Sequence, residues 1–236
     1  MIRTSFITEN QLYAIPLPER TESYTPIDNG RIVDLIKEEA DKRNLFISGS
    51  KFKASNNMNK VIGQFNILSN YSELGLMVAY RNSSDKSRSF GLGLGAVVWI
   101  CENGMISGEV VVKRKHTEDA DQDVSYKIIE GFALIEDNFG KMIEAQQKLQ
   151  SVTIDHKITS ELVGRMFMQH EIINTYQLNL LKKECEESQV FQTVYEPGFS
   201  AWDLYNNTTH VLKESHPGNY ISDHIKLHEF MMSEFK

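Results

Sequence analysis

The 236-residue chain is defined first by what it lacks. It has no apolar run near the roughly 18 residues that a membrane-spanning helix needs. Its opening stretch, MIRTSFITENQLYAIPLPER, has no apolar core of the kind a secretory signal carries. It holds two cysteines, Cys101 and Cys185, and no Cys-x-x-Cys pair, which excludes a disulfide framework and a cysteine-rich zinc site. His-Glu-x-x-His is missing, as are internal repeats and low-complexity tracts. These absences lead to the expectation of a cytoplasmic protein with reduced thiols, no membrane association, and no metal or cofactor.

The formal charge of −7 is unevenly spread. Residues 1–44 carry 6 Lys/Arg against 8 Asp/Glu, residues 45–116 carry 9 against 4, and residues 117–236 carry 10 against 20. The middle of the chain is basic and the C-terminal half acidic, a contrast that the overall charge conceals.

Periodicity divides the chain at the same places. Residues 1–26 are polar, with Pro16, Pro18 and Pro26, and read as an irregular N-terminal arm. PIDNGRIVDLIKEEADKRN reads as a helix capped by Asp28 or Asn29, with Ile32, Val33, Leu35, Ile36 and Ala40 on its apolar side. Five strand-like runs follow, LFISGSKFKAS, KVIGQFNILSN, LGLMVAY, SFGLGLGAVVWIC and ISGEVVVKRK, with short connections that favour an antiparallel meander. Val124, Ile128, Phe132, Ile135, Phe139, Met142 and Leu149 then share one helical face. A long helix follows Thr159 as its N-cap, and shorter ones are expected at SAWDLYNNTTHVLKE and YISDHIKLHEFMMSEF. The class is α+β: an N-terminal helix and a five-stranded meander packed against a helical C-terminal half. The expected organisation is one domain over 27–236, with a sheet core to residue 150 and a helical extension over 151–236.

Gly91, Gly93 and Gly95 invite a phosphate-loop reading, which their setting rejects. A phosphate loop places glycines between a strand and a helix; here they alternate within a strand. Asn103-Gly104 reads instead as a two-residue hairpin turn. That register opposes Trp99 to Gly108, Val97 to Val110 and Gly95 to Val112 on a core face, where the bare glycines let a helix or ring approach closely. The opposite face, with Leu94, Val98 and Ile100, reads as mixed and partly solvated.

A meander also gathers strand ends. The basic residues Lys51, Lys53, Lys60, Arg81, Lys86, Arg88, Lys113, Arg114 and Lys115 fall near one rim, with Asp85 the acidic residue among them. A positive rim on an acidic protein is the footprint of an anionic partner. The competing reading is internal neutralisation by TEDADQD at 117–123. Phe52, Phe65, Tyr71, Tyr80 and Phe90 are the candidate base-stacking aromatics. His210, His216, His224 and His228 read as surface histidines on and before a C-terminal helix, because no fixed third ligand accompanies them. Met166, Phe167 and Met168 read as packing, with His170 and Glu171 on different sides of a helix. Trp202 and Tyr205 read as anchors of a helix to the core. Cys101 at a hairpin end has no defined histidine partner, so no catalytic residue is assigned.

YTPIDNGRIVDLIKEEA, RNSSDKSRSFGLGLGAVVWICENGM and SAWDLYNNTTHVLKE together resemble the phage/plasmid-like proteins grouped as domain of unknown function 932. The Cys-x-Asn-Gly run at 101–104 and Trp202, Tyr205, Asn206 and Thr209 carry the resemblance most specifically. In that family the loop before the glycine strand often reads Ser-His-Asp; here it is Ser83-Ser84-Asp85, so a role resting on an imidazole there does not carry over. The resemblance implies a setting, phages and other mobile elements in a bacterial host cell, rather than a reaction. The order helix, meander, helix is also similar to the core of phage single-strand annealing proteins, a likeness of fold alone. The functional expectation is binding of nucleic acid, preferentially single-stranded DNA, through the basic rim, in recombination or replication. The rival expectation is a protein-interaction module that engages a host or phage factor through the acidic half. A homo-oligomer is a further expectation.

Overall fold

Thr-Ser-Phe-Ile at residues 4–7, two hydroxyl residues followed by an aromatic and a β-branched one, forms an edge strand, β1 (Thr4–Ile7). Thr8 caps the short helix α1 (Glu9–Tyr13): its hydroxyl accepts from the Gln11 N–H, and the Gln11 side chain accepts from the Thr8 N–H. Each satisfies a donor that a helix start leaves orphaned. The expected irregular arm is therefore ordered over these residues. Four strand residues beside Pro16 and Pro18 are too short a run for periodicity to register. The structure, a computed structural model, describes residues 4–22, 24–71, 73–98, 103–107, 112–114, 120–187 and 198–236, with backbone alone at 112–114 and 120–122.

Helix α2 (Asn29–Lys42) starts where its cap residue predicts, with the Asp28 carboxylate accepting from the Arg31 N–H at 2.8 Å. The stripe from Ile32 to Ala40 is buried. The sheet continues through β2 (Ile47–Ser55), β3 (Lys60–Ile67), β4 (Leu74–Ser83), β5 (Phe90–Val98), β6 (Asn103–Ile106) and β7 (Val112–Arg114). Strands β1 to β6 are neighbours in chain order and pair antiparallel, and β7 also pairs with β5. The meander is present, enlarged to seven strands by β1 and by the division of the fifth predicted strand.

The Asn103-Gly104 turn is corrected. Both residues lie inside β6, where Val98 pairs with Asn103, Val97 with Gly104 and Gly95 with Ile106. Tertiary packing overrides the local turn signal. Asn103 is fully buried and donates through Nδ2 to the Asn206 carbonyl at 3.0 Å. A Cβ at Gly104 would sit 2.6 Å from Met77 Sδ, so this strand passes where only glycine fits. Leu92 pairs with Val112 of β7. The Trp99–Gly108 pair and Cys101 lie outside the described residues.

Helix α3 (Ala120–Ala133) and α2 cover one face of the sheet, over Phe52, Phe65, Val78, Tyr80, Leu92 and Leu94. Gly131 brings α3 within reach of Leu92, whose Cδ2 would lie 2.6 Å from an added Cβ. Helix α4 (Ile135–Gln150) follows after a break at Leu134, and the predicted stripe is buried from Val124 through Leu149 apart from a half-buried Phe139. The second face of β5 is therefore not solvated as expected: Leu94 and Val98 are buried beneath helices.

The helical half holds α5 (His156–Met168), α6 (Thr175–Glu187), α7 (Ala201–Leu212) and α8 (Tyr220–Glu234). Asp155, not Thr159, caps α5; the Thr159 hydroxyl is buried on the Asp155 carbonyl at 2.8 Å. The single long helix expected here is broken in two. Glu171 takes φ of 50°, and Asn174 and Gln177 exchange side chain–backbone hydrogen bonds that restart the helix. His170 and Glu171 thus lie in a turn, and Met168 is 75% exposed, while Met166 packs as expected. Trp202 and Tyr205 stack at 5.6 Å with planes 6° apart and anchor α7 in the core.

Helix α8 lies on the other face of the sheet, with Tyr220 and Ile221 against Ile62, Met77, Ala79, Val97 and Ile106. Gly93 makes room for it, since a Cβ there would meet Ile106 at 3.0 Å and Ile221 at 3.4 Å. Gly93 thus serves helix approach, while a Cβ at Gly91 would meet the Arg81 guanidinium and one at Gly95 the Met105 carbonyl. His224 is 0% exposed, so its assignment to the surface fails; the same packing that seats Tyr220 encloses it. Among the described residues no helix is long and apolar enough to cross a membrane.

Candidate nucleic-acid interface

Antiparallel register aligns Phe6, Lys53, Ile62, Arg81, Gly91 and Lys113 in one row across the sheet. Period-two alternation sends Phe6, Lys53, Ile62 and Arg81 to the α8 face, and the contacts agree, since Ile62 packs with Tyr220 there. Most of the predicted basic residues do come together, and the connector between α7 and α8 explains why.

Three of them hold that connector to the sheet. The buried Lys53 donates to the Lys213 carbonyl at 2.6 Å. Arg81, also buried, donates to the Gly218 carbonyl at 2.9 Å and to the Ser89 carbonyl at 3.5 Å, its guanidinium lying 3.3 Å from where a Gly91 Cβ would be. Arg88 donates to Asn219 Oδ1 at 3.0 Å, which occupies the cap residue of α8. Burial lowers the affinity of Lys53 and Arg81 for their protons, most of all through lost hydration. The chain-end carbonyls of α7 and its connector supply compensating oxygens.

Lys60 is neutralised locally by Asp85 at 2.9 Å. Asp85 also accepts from Ser83 Oγ, Ser87 Oγ and the Ser87 N–H. Burial pushes its pKa up, but these hydrogen bonds outweigh burial and hold the carboxyl well below its ordinary value. Ser83 and Asp85 of the Ser-Ser-Asp run thus fold the loop, and no imidazole from that loop takes part. Lys86 is exposed, with its ammonium 4.9 Å from the Tyr24 ring centroid. Lys51 is exposed on β2. Lys113 and Arg114 occupy β7 opposite Gly91 and Phe90, whereas Lys115 and most of the 117–123 segment lie outside the described residues.

The predicted stacking aromatics do not serve. Phe52, Phe65, Tyr80 and Phe90 are buried in the core, and Tyr71 packs half-buried against the helical cluster. On the α8 face an exposed ring is that of Phe6, 66% exposed, with the Lys53 ammonium 5.7 Å from its centroid. Sequence reasoning missed it by treating residues 1–26 as an arm; the strand-favouring Thr4, Phe6 and Ile7 were the available signal. Phe6, Lys51, Lys53, Ile62, Gln64, Lys213 and Tyr220 line a slot of about 70 Å³ on the open part of the α8 face. Its floor is fixed: the Tyr220 hydroxyl donates to Gln64 Oε1 at 3.2 Å, and Gln64 Nε2 donates to Asn66 Oδ1 at 2.8 Å. Beside it His216 accepts from the Gly218 N–H at 3.1 Å through Nδ1. Burial, then the charges of Lys60 and Arg88, lower its pKa and keep the ring neutral. Among the described residues no group of three or more His, Cys, Asp or Glu side chains is placed to hold a metal ion.

The fold and this slot define an α+β protein whose seven-stranded antiparallel sheet is closed by helices on one face and left partly open, with lysines and one aromatic ring, on the other. The chain belongs to the family described as Domain of unknown function (DUF932), whose model matches residues 16–226. No curated protein and no solved structure matches the chain. The two most specific parts of the family resemblance meet in space, through the hydrogen bond from Asn103 to Asn206 that joins β6 to α7.

Proposed function

We propose that the protein binds single-stranded nucleic acid at the slot, with a base stacked on Phe6 and the flanking phosphates met by Lys51 and Lys213. The observation that supports this is the exposed Phe6 ring set among three lysines on an otherwise well-packed sheet. An exposed aromatic interleaved with cations is the arrangement that sequence-tolerant binding of single strands uses. Lys60, Lys86 and Arg88 continue the positive surface along the rim. Arg81 acts differently from the sequence expectation, fixing the wall of the site rather than meeting phosphate, whereas Lys53 both holds the connector and, as a lining residue of the slot, offers a third phosphate contact. A role in recombination or replication of a phage or other mobile element, in the cytoplasm of its host, goes with this reading and with the family resemblance.

The test is a titration of a labelled single-stranded oligonucleotide at two salt concentrations. Each phosphate contact on a single strand contributes about −0.7 to the slope of log affinity against log salt, so three contacts give roughly −2. Phe6→Ala should weaken binding roughly 5- to 160-fold, from a stacking term of about 1–3 kcal/mol, and leave the slope unchanged. Lys51→Glu should weaken binding and flatten the slope by at least ~0.7. Absence of wild-type binding at low salt, or full binding by Phe6→Ala, overturns the proposal and leaves a protein partner on the acidic half as the better account.

A further inference from the structure

One carboxylate beside the slot has no part in holding the fold. Glu214 follows the last residues of α7, and its side chain is 46% exposed, with Oε2 3.9 Å from the Lys53 ammonium. It accepts no hydrogen bond from any described residue, unlike Asp85, whose carboxylate organises a whole loop. Lys53 is not free to move away. Its side chain is 9% exposed, and its ammonium is tied to the Lys213 carbonyl at 2.6 Å. The ion pair therefore opens by movement of the exposed Glu214, and the ammonium it leaves belongs to a residue that lines the slot.

We propose that Glu214 is a built-in competitor for phosphate at Lys53, balancing that charge while the slot is empty and giving way when a polyanion arrives. The inference rests on the nucleic-acid reading above and adds its regulation. A buried ammonium without a counter-charge is costly, so the empty site needs an anion. An exposed carboxylate at 3.9 Å supplies one weakly enough to be displaced. The consequence is selectivity. A single carboxylate or chloride gains little by replacing Glu214, whereas a strand that also engages Phe6 and Lys51 does.

The experiment compares wild type, Glu214→Gln and Glu161→Gln with the same labelled single-stranded oligonucleotide at two salt concentrations. Glu161 is exposed on α5 and removes the same formal charge away from the slot. Glu214→Gln should bind several-fold tighter, and its salt slope should steepen by about 0.7, because Lys53 then gives up a solution anion instead of Glu214. Glu161→Gln should match wild type. Equal binding by wild type and Glu214→Gln, or equal tightening by both variants, overturns the competitor role while the binding function stands. Loss of binding by all three proteins overturns the function itself, and the competitor role with it. Glu214→Ser, which cannot mimic a carboxylate, checks the result if the glutamine variant melts early, and wild-type affinity in the serine variant counts against the inference.

Discussion

Lowering the pH from 7 to 5 should weaken the fold through His224, and the size of the effect follows from burial. The ring is fully buried, neither nitrogen has a partner of good hydrogen-bond geometry among the described residues, and its closest described ring neighbour is Tyr220, with centroids 4.4 Å apart. Burial, reinforced by the Lys213 charge, pulls its pKa from 6.5 down to about 3, and the backbone of Gly104 offsets this only in part. The folded state thus keeps the ring neutral, while the unfolded chain takes up a proton as pH falls below 6.5. Stability from this residue is fully present above that value and is lost as pH falls toward 3. At about 1.36 kcal/mol per pH unit, the loss at pH 5 is roughly 2 kcal/mol, whatever the folded value so long as it stays well below 5. That corresponds to a fall in Tm of about 4–8 °C for a chain of this size. Asp223, one residue away, works in the opposite sense: burial raises its pKa to about 6, so the folded state gains as pH drops through that value. His210 and His216 are lowered, burial first, and add to the His224 effect. These groups are common to wild type and His224→Leu, so the difference between their Tm–pH profiles isolates His224. The variant should lose about 4–8 °C less between pH 7 and pH 5. Parallel profiles would refute the burial argument.

Two further outcomes are expected. Gly63→Val should destabilise by at least ~1–3 kcal/mol in chemical denaturation, because a Cβ there would lie 2.2 Å from the ring of the fully buried Tyr80; wild-type stability would mean that the ring has room to move. Arg81→Met keeps the volume but strands the Gly218 carbonyl, so a loss of about 1.5–3 kcal/mol and faster amide exchange across the first turn of α8 should follow, and unchanged exchange there would remove Arg81 from its role as a clamp.

The elements most legible in the sequence were those with long, regular patterns. Helix α2, strands β2 to β5 and the stripe from Val124 to Leu149 follow from periodicity and one capping residue. The failures share a cause: local signals met tertiary demands that no window of sequence contains. Asn103-Gly104 has the chemistry of a turn, yet Asn103 is required by Asn206, more than a hundred positions on, and Gly104 by Met77 and Tyr220. Thr159 has the chemistry of a cap and lost to Asp155, four residues earlier. At the site, the gathering of basic residues was legible because strand alternation fixes which ends meet. Their division of labour was not. Whether a lysine meets solvent or a carbonyl depends on the α7–α8 connector, which returns to the sheet from some 160 residues downstream. Phe6 went unnoticed because β1 acquires meaning only once β2 is there to pair with it.

The long return of α8 also has a timetable. The hydrogen bond from Tyr220 to Gln64 spans 156 positions. During synthesis at about 5–20 residues per second, strand β3 therefore exists for roughly 8–30 s before the helix that covers its inner side has been made. Strands β2 to β5 can pair in that interval, and α2 can already cover the opposite face. The glycine side, with Ile62, Met77 and Val97, waits uncovered. Nascent chains of this protein should accordingly engage holding chaperones through the sheet, and should be released from them only when residues 220–234 dock.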